Sequence, residues 1–172
     1  MLTLSLLRHA KSSWADRELE DHERPLAKRG TKAAGAMGAF IAREGLRPDL
    51  ILCSGSVRTR ATLALVLSEL GTPTPQVEYD DVLYMAEPTA LLARLHQVKN
   101  DTRRVMLIGH NPGLQALAQE LAGRGNQKDI KVLAGKFPTC GLAVLTFKVR
   151  KWSNLGSGRG KLKLFMTPRR LP

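Results

Sequence analysis

The chain has 172 residues, 43% of them hydrophobic, which is ample for a sizeable core and fits a single domain, 1–172. No apolar run reaches the length of a membrane span, and Cys53 and Cys140 stand too far apart, with no CxxC or Cys/His cluster, for a zinc site or a disulfide framework. The formal charge of +12 favours anionic partners, and it is uneven: no acidic residue follows Asp129, while ten lysines and arginines do.

The first stretch, Leu2 to Leu7, is apolar enough for a buried strand and stops at the pair Arg8-His9. The start lacks a basic n-region and a small-residue cleavage site, so it reads as a strand and not a leader, and a cytoplasmic location is expected. Ser12 to Glu23 has no periodicity and reads as a loop. From Ala27 to about Glu44, small and apolar residues recur at helical spacing, with Gly45 as the C-cap. Asp49 to Cys53 reads as a second strand, and Val57 to Leu70 as a helix closed by Gly71.

Gln76 to Tyr79 suits a short edge strand, and Pro88 opens a helix spanning Thr89 to Val98. Arg104 to Gly109 is a further strand, ended by His110-Asn111-Pro112, and a helix runs from Gly113 to about Leu121. Ala122 to Lys131 reads as a Gly-rich polar loop. Gly141 to Val149 and Leu162 to Thr167 read as a last pair of strands forming an antiparallel or mixed edge. Alternating strands and helices imply a mostly parallel sheet covered on both faces, a three-layer α/β/α sandwich.

Three strands end alike. The first ends at Arg8-His9, the second leads through Ser54 to Arg58, and the third ends at His110. In such sheets the carboxyl ends of parallel strands hold the ligand. Two arginines and two histidines sharing that edge call for an anion, because the Arg fork suits a phosphate oxygen pair. A neutral imidazole supplies a nucleophile. No Asp/Glu cluster accompanies them, so no metal and no cofactor are expected.

The motif Leu6-Leu7-Arg8-His9-Ala10-Lys11-Ser12-Ser13-Trp14 resembles the N-terminal motif of the histidine phosphatase superfamily. Arg24-Pro25-Leu26-Ala27-Lys28-Arg29-Gly30, Ser54-Gly55-Ser56-Val57-Arg58-Thr59-Arg60-Ala61-Thr62 and Gly109-His110-Asn111-Pro112-Gly113 also match. Together with Lys136-Phe137-Pro138-Thr139 and Thr167-Pro168-Arg169, they are similar to SixA-type phosphohistidine phosphatases more than to phosphoglycerate mutases.

The resemblance implies a phosphoglycerate mutase-like fold with one antiparallel strand. It makes His9 the nucleophile and Arg8, Arg58 and His110 the phosphoryl pocket, and it points to Ser12, Arg24, Asn111 and Glu87 as substrate contacts. Arg58 is preferred to Arg60, since the pattern sets the arginine four positions after Ser54 and a threonine, Thr62, four further on. A metal-independent phosphatase of phosphorylated protein is implied. A phosphatase of small phosphate esters and a basic binding protein on a degenerate scaffold are the alternatives, and nucleic acid is not the expected partner.

The chain departs from the pattern in four ways. Ala10 replaces the motif glycine, which suits a turn of negative φ. Lys11 and Ala15 stand where mutase-like members carry Glu and Asn, against a phosphoglycerate substrate. A dedicated acid is not evident; Glu87, Asp16 and Asp21 are the candidates, with Glu87 also suited to a helix start. His22 and His96 read as bystanders, and Trp14 and Trp152 as core packing in preference to the rim of the pocket. Gly156 to Lys161 fails the spacing of a phosphate-binding P-loop.

Overall fold

The computed structural model describes residues 1–172. Seven strands form one sheet in the order β3-β2-β4-β1-β6-β7-β5. In chain order they are β1 (Leu2–Arg8), β2 (Leu50–Cys53), β3 (Gln76–Tyr79), β4 (Arg104–Gly109), β5 (Ala122–Gly125), β6 (Leu142–Phe147) and β7 (Gly160–Met166). The helices are α1 (Lys28–Arg43), α2 (Val57–Leu70), α3 (Pro88–His96), α4 (Gly113–Leu121) and α5 (Gln127–Gly135). Only β6 runs against its neighbours, pairing antiparallel with both β1 and β7. This is the mostly parallel sheet with one antiparallel strand that the resemblance implies.

The pleat of β1 divides the core. Leu2, Leu4 and Leu6 join the layer of α3, α4 and α5 through Leu91, Leu95, Leu114, Leu117 and Leu133. Leu7 joins Ala34, Met37 and Ile41 of α1 and Leu63, Val66 and Leu70 of α2 on the other face. Burial on both faces explains why β1 and β4 are near-continuous apolar runs. Parallel pairing then aligns the strand ends, with Arg8 opposite Gly109 and Cys53 opposite Ile108.

Local chemistry fixes where the helices start. The Ser56 hydroxyl accepts from the Thr59 amide and caps α2. Pro88 occupies the first turn of α3, which ends at His96, two residues short of the expected bound. Gly113 begins α4 against the Ala86 carbonyl, which a side chain there would overlap. No helix is long and apolar enough to cross a membrane.

Three expectations need correction. Residues 122–131 are not a loop: they contain β5 and most of the first two turns of α5. The Asn126 side chain caps α5 by accepting from Lys128 and Asp129 amides, and Asp129 is buried because Arg170 and the Phe165 amide bind its carboxylate. The apolar residues of α5, Ile130, Val132 and Leu133, fall at or beyond the end of the expected loop, so residues 123–129 carry no apolar side chain to mark a helix start. The last strand pair is not the sheet edge either, since β6 lies beside β1 and β5 forms the edge outside β7. Trp152 is fully buried and donates to the Thr102 carbonyl, but Trp14 is 60% exposed. Trp14 carries the Arg24 guanidinium over its ring, 3.9 Å from the centroid.

Candidate active site

The adjacent ends of β2, β4 and β1 bring Ser54, His110, Arg8 and His9 to one edge, and the first turn of α2 adds Arg58. His9 is 7% exposed, and its Nδ1 lies 2.8 Å from the Ala10 carbonyl oxygen. A carbonyl only accepts, so Nδ1 carries the hydrogen and Nε2 holds the lone pair. Nε2 has no protein partner and keeps contact with solvent. The Ala10 amide donates to the Thr62 hydroxyl, and the Cys140 amide donates to the carbonyls of Arg8 and His9. The His9 backbone is therefore fixed on both sides. Ala10 is not among the residues of positive φ, as a non-glycine residue at this turn requires.

His110 faces His9 with ring centroids 5.2 Å apart. An Arg58 terminal nitrogen stands 3.3 Å from His110 Nδ1 and can only donate, so Nδ1 accepts and Nε2–H donates to the Ser54 hydroxyl at 2.8 Å. Arg58 also donates to the carbonyl and, at 2.9 Å, to the carboxylate of Asp21. The Tyr84 hydroxyl donates to the same carboxylate oxygen at 2.6 Å, and its ring meets those of His110 and His22 edge-on. Arg8 donates from one terminal nitrogen to the Phe137 carbonyl, while its Nε is buried without a partner.

Burial sets the protonation states. It pushes His9 down to about 4, with the charges of Arg58 and Arg8 adding to it. Burial likewise pushes His110 down to about 3, helped by His9 and Arg58. Arg8 is lowered by burial and then by the charge of Arg58. Asp21 is held below the ordinary carboxylate range, chiefly by the Tyr84 hydroxyl and then by Arg58. At neutral pH the site presents two neutral imidazoles between two guanidinium groups. The two guanidinium groups are donors suited to the peripheral oxygens of an oxyanion, and His9 Nε2 is a nitrogen free to attack it.

Residues 4–83 match the model of the histidine phosphatase superfamily, branch 1. An uncharacterized protein of Mycobacterium tuberculosis is 34% identical over 165 residues, covering 95% of this chain and 100% of that protein. Solved structures bearing the name SixA, from Agrobacterium tumefaciens and Nakamurella multipartitia, are each 30% identical over 97% of this chain. They superpose with TM-scores of 0.82 over 98% of the first and 0.80 over 96% of the second. The chain belongs to the histidine phosphatase superfamily. Within it the chain is of the SixA type.

Of the other residues singled out in the sequence, this histidine phosphatase holds few against the pocket. The Asn111 amide nitrogen donates to the Phe137 carbonyl that also receives Arg8, and its buried side-chain oxygen has no partner. Arg24 is committed elsewhere, donating to the carbonyls of Asp16 and Leu19 and so holding the 16–19 loop. Ser12 forms an isolated bridge with Leu26. The Asp16 carboxylate accepts from the Glu18 amide in a local turn. Glu87 is exposed at the start of α3, without a side-chain capping bond. Arg60 is exposed and lies over the Tyr79 ring. His96 bonds the Leu155 carbonyl.

Sequence reasoning missed Tyr84 altogether and gave Ser54 no contact. Ser54 lay inside a quoted motif and could have been found there. Tyr84 gave no local signal, because its bond to Asp21 spans 63 positions. His22 also stands closer than expected, its ring 4.8 Å from that of Tyr84.

Proposed function

We propose that this chain is a metal-independent phosphatase working through a phosphohistidine intermediate, with protein phosphohistidine as its substrate. Family membership supports phosphoryl transfer to His9 and then to water, and the likeness to proteins named phosphohistidine phosphatase supports the substrate. In the first step His9 Nε2 attacks phosphorus in line as the bond from phosphorus to the substrate imidazole breaks. The departing imidazole keeps that bonding pair and leaves as neutral imidazole, having taken a proton from solvent. Water then attacks phospho-His9, releasing inorganic phosphate and restoring the neutral imidazole. Arg8 and Arg58 neutralise the charge on the peripheral oxygens throughout, the role that metal ions fill in two-metal phosphatases.

The observation that carries this reading is the His9 tautomer. Its Nδ1–H is occupied by the Ala10 carbonyl, leaving a deprotonated, solvent-contacting Nε2 beside two guanidinium groups. The substrate choice rests on the neighbouring carboxylates. Asp21 is ionised against Arg58 and Tyr84, which makes it a poor proton donor. An alkyl phosphate needs a proton delivered to its leaving oxygen, whereas a protonated imidazole leaves unaided.

The test is kcat/KM on a phosphohistidine protein, an aryl phosphate and an alkyl phosphate, with and without EDTA. The expected order is phosphohistidine, then aryl, then alkyl, unchanged by EDTA. Preference for the alkyl phosphate, lost on replacing Glu87, Asp16 or Asp21, would favour the small-ester reading. Loss of activity on chelation, restored by Mg²⁺ or Zn²⁺, would overturn metal independence.

A further inference from the structure

Across Arg8 from the Arg58 side, the same edge of the sheet opens into a cleft of about 620 Å³. Its walls come from the start of α1, the end of α5 with the loop after it, and the turn after β7. Arg8, Lys11, Arg29, Lys136 and Arg169 line it, and no aspartate or glutamate does. None of these five takes part in an ion pair; the carboxylates near arginines elsewhere bind Arg43, Arg58, Arg94 and Arg170. The buried, unpartnered Nε of Arg8 belongs to the same lining residue.

Five unpaired cations around one cleft repel one another, and an anion in it would relieve that repulsion. The fold has spent backbone geometry on this arrangement. The α1 start is seated on Lys11 by Gly30, where any side chain would collide with the Lys11 carbonyl, and the Ala27 amide donates to that carbonyl. Lys11 and Arg29 are thereby placed on one wall. Lys136 and Arg169 come from the stretch after Asp129 that has no acidic residue, so no neighbour in sequence can neutralise them.

We propose that the cleft docks an acidic segment of the phosphorylated protein, flanking the phosphohistidine that enters the His9 pocket. This rests on the reading above and names its partner more closely. Arg8 lines the cleft and adjoins His9 in sequence, so one ligand can engage both sites. The cations sit on separate segments, and Arg29, Lys136 and Arg169 are exposed. Val132, 43% exposed, and Pro138 add apolar surface to the lining. Long mobile cations interleaved with apolar surface match a peptide carrying several carboxylates better than a compact oxyanion, which needs a rigid cradle.

The experiment uses the full chain and paired phosphohistidine peptides that differ only in flanking glutamates against glutamines. At low salt the wild type should favour the glutamate peptide by about tenfold or more in kcat/KM, mostly through KM, and the preference should shrink as salt shortens the screening length. Lys136→Ala with Arg169→Ala should abolish the preference while phosphoramidate turnover stays unchanged. Lys136→Glu with Arg169→Glu should reverse it in favour of a lysine-flanked peptide. Equal wild-type rates on the two peptides, or a preference that survives both double variants, would overturn the docking role. If neither peptide is turned over but an aryl phosphate is, the substrate reading fails. Binding of the unphosphorylated glutamate peptide, measured by fluorescence anisotropy against the same variants, then decides the cleft alone. Tight inhibition by tripolyphosphate, lost in the double variants, with peptides bound indifferently, would make it a small-polyanion site and sink the proposal.

Discussion

The Asp21 carboxylate and the Arg58 guanidinium stand 2.9 Å apart, and the Tyr84 hydroxyl secures the same oxygen. Arg58 is buried, whereas Asp21 is half-exposed in a three-residue 3-10 turn, Asp21–Glu23, above the pocket. Without a substrate, the arginine's anionic partner comes from the protein. A phosphoryl group entering the pocket meets that carboxylate as a like charge.

Asp21→Asn should therefore tighten oxyanion binding, because the Asp21 carbonyl still receives Arg58 when the negative charge is gone. Inhibition by inorganic phosphate should strengthen by roughly threefold to tenfold, the scale of one partly screened charge interaction. Tyr84→Phe leaves the carboxylate ionised and takes away its hydroxyl donor, so it should not strengthen phosphate inhibition as Asp21→Asn does. The measurement is Ki for phosphate at fixed ionic strength. A weaker Ki for Asp21→Asn would make the carboxylate a support for Arg58 and not its competitor.

Acid should destabilise the fold through the two pocket histidines. Both are depressed in the folded state, so the unfolded chain binds more protons below the ordinary value of 6.5. Their contribution to stability is fully present above pH 6.5 and is lost as pH falls toward about 4 for His9 and about 3 for His110. Asp21, depressed below its unfolded value, loses its contribution in the acid range as well. Denaturant midpoints from pH 7 to pH 4 should fall, and less steeply in His110→Gln. Turnover of phosphoramidate should hold level as pH falls from 6.5 until it nears about 4, where His9 gains its proton. A rate that halves near pH 6.5 would contradict the depressed value.

Arg24 should prove structural. It is 7% exposed, donates to two loop carbonyls and covers the Trp14 ring. Arg24→Ala should cost about 2–4 kcal/mol, the range for losing buried charge-assisted bonds together with a cation–π contact. Trp14→Ala should cost about 1 kcal/mol by removing that contact alone. Urea denaturation reads both. Unchanged stability of Arg24→Ala with a raised KM for phosphoramidate would instead place Arg24 on the substrate.

The parts of the fold that announced themselves in sequence are those whose own residues specify them. The apolar runs of β1 and β4 reflect burial on both faces, and Ser56 and Gly71 bound α2. The strand ends showed Arg8, His9 and His110 in order along the chain, and parallel pairing needed only to bring them together. By contrast, β5 is Ala-Gly-Arg-Gly, a strand made by backbone pairing with β7 and carrying no strand-forming side chains. Residues 12–23 read in sequence only as a polar loop, and Arg24 and Arg58 hold that loop from two directions. The Arg58 contacts span 37 positions, and those of Arg24 close an irregular loop through backbone carbonyls, which any residue supplies, so no side-chain pattern encodes them.

The central claim is that His9 takes the phosphoryl group on Nε2. Rapid quenching of the wild type with radiolabelled phosphoramidate or phosphohistidine protein, followed by base-stable peptide mapping, tests it most directly. The expected result is acid-labile, base-stable phosphate on the peptide carrying His9, absent from a folded His9→Ala variant that has lost turnover. Label recovered on His110 or on a carboxylate, or turnover persisting in His9→Ala, would contradict the account.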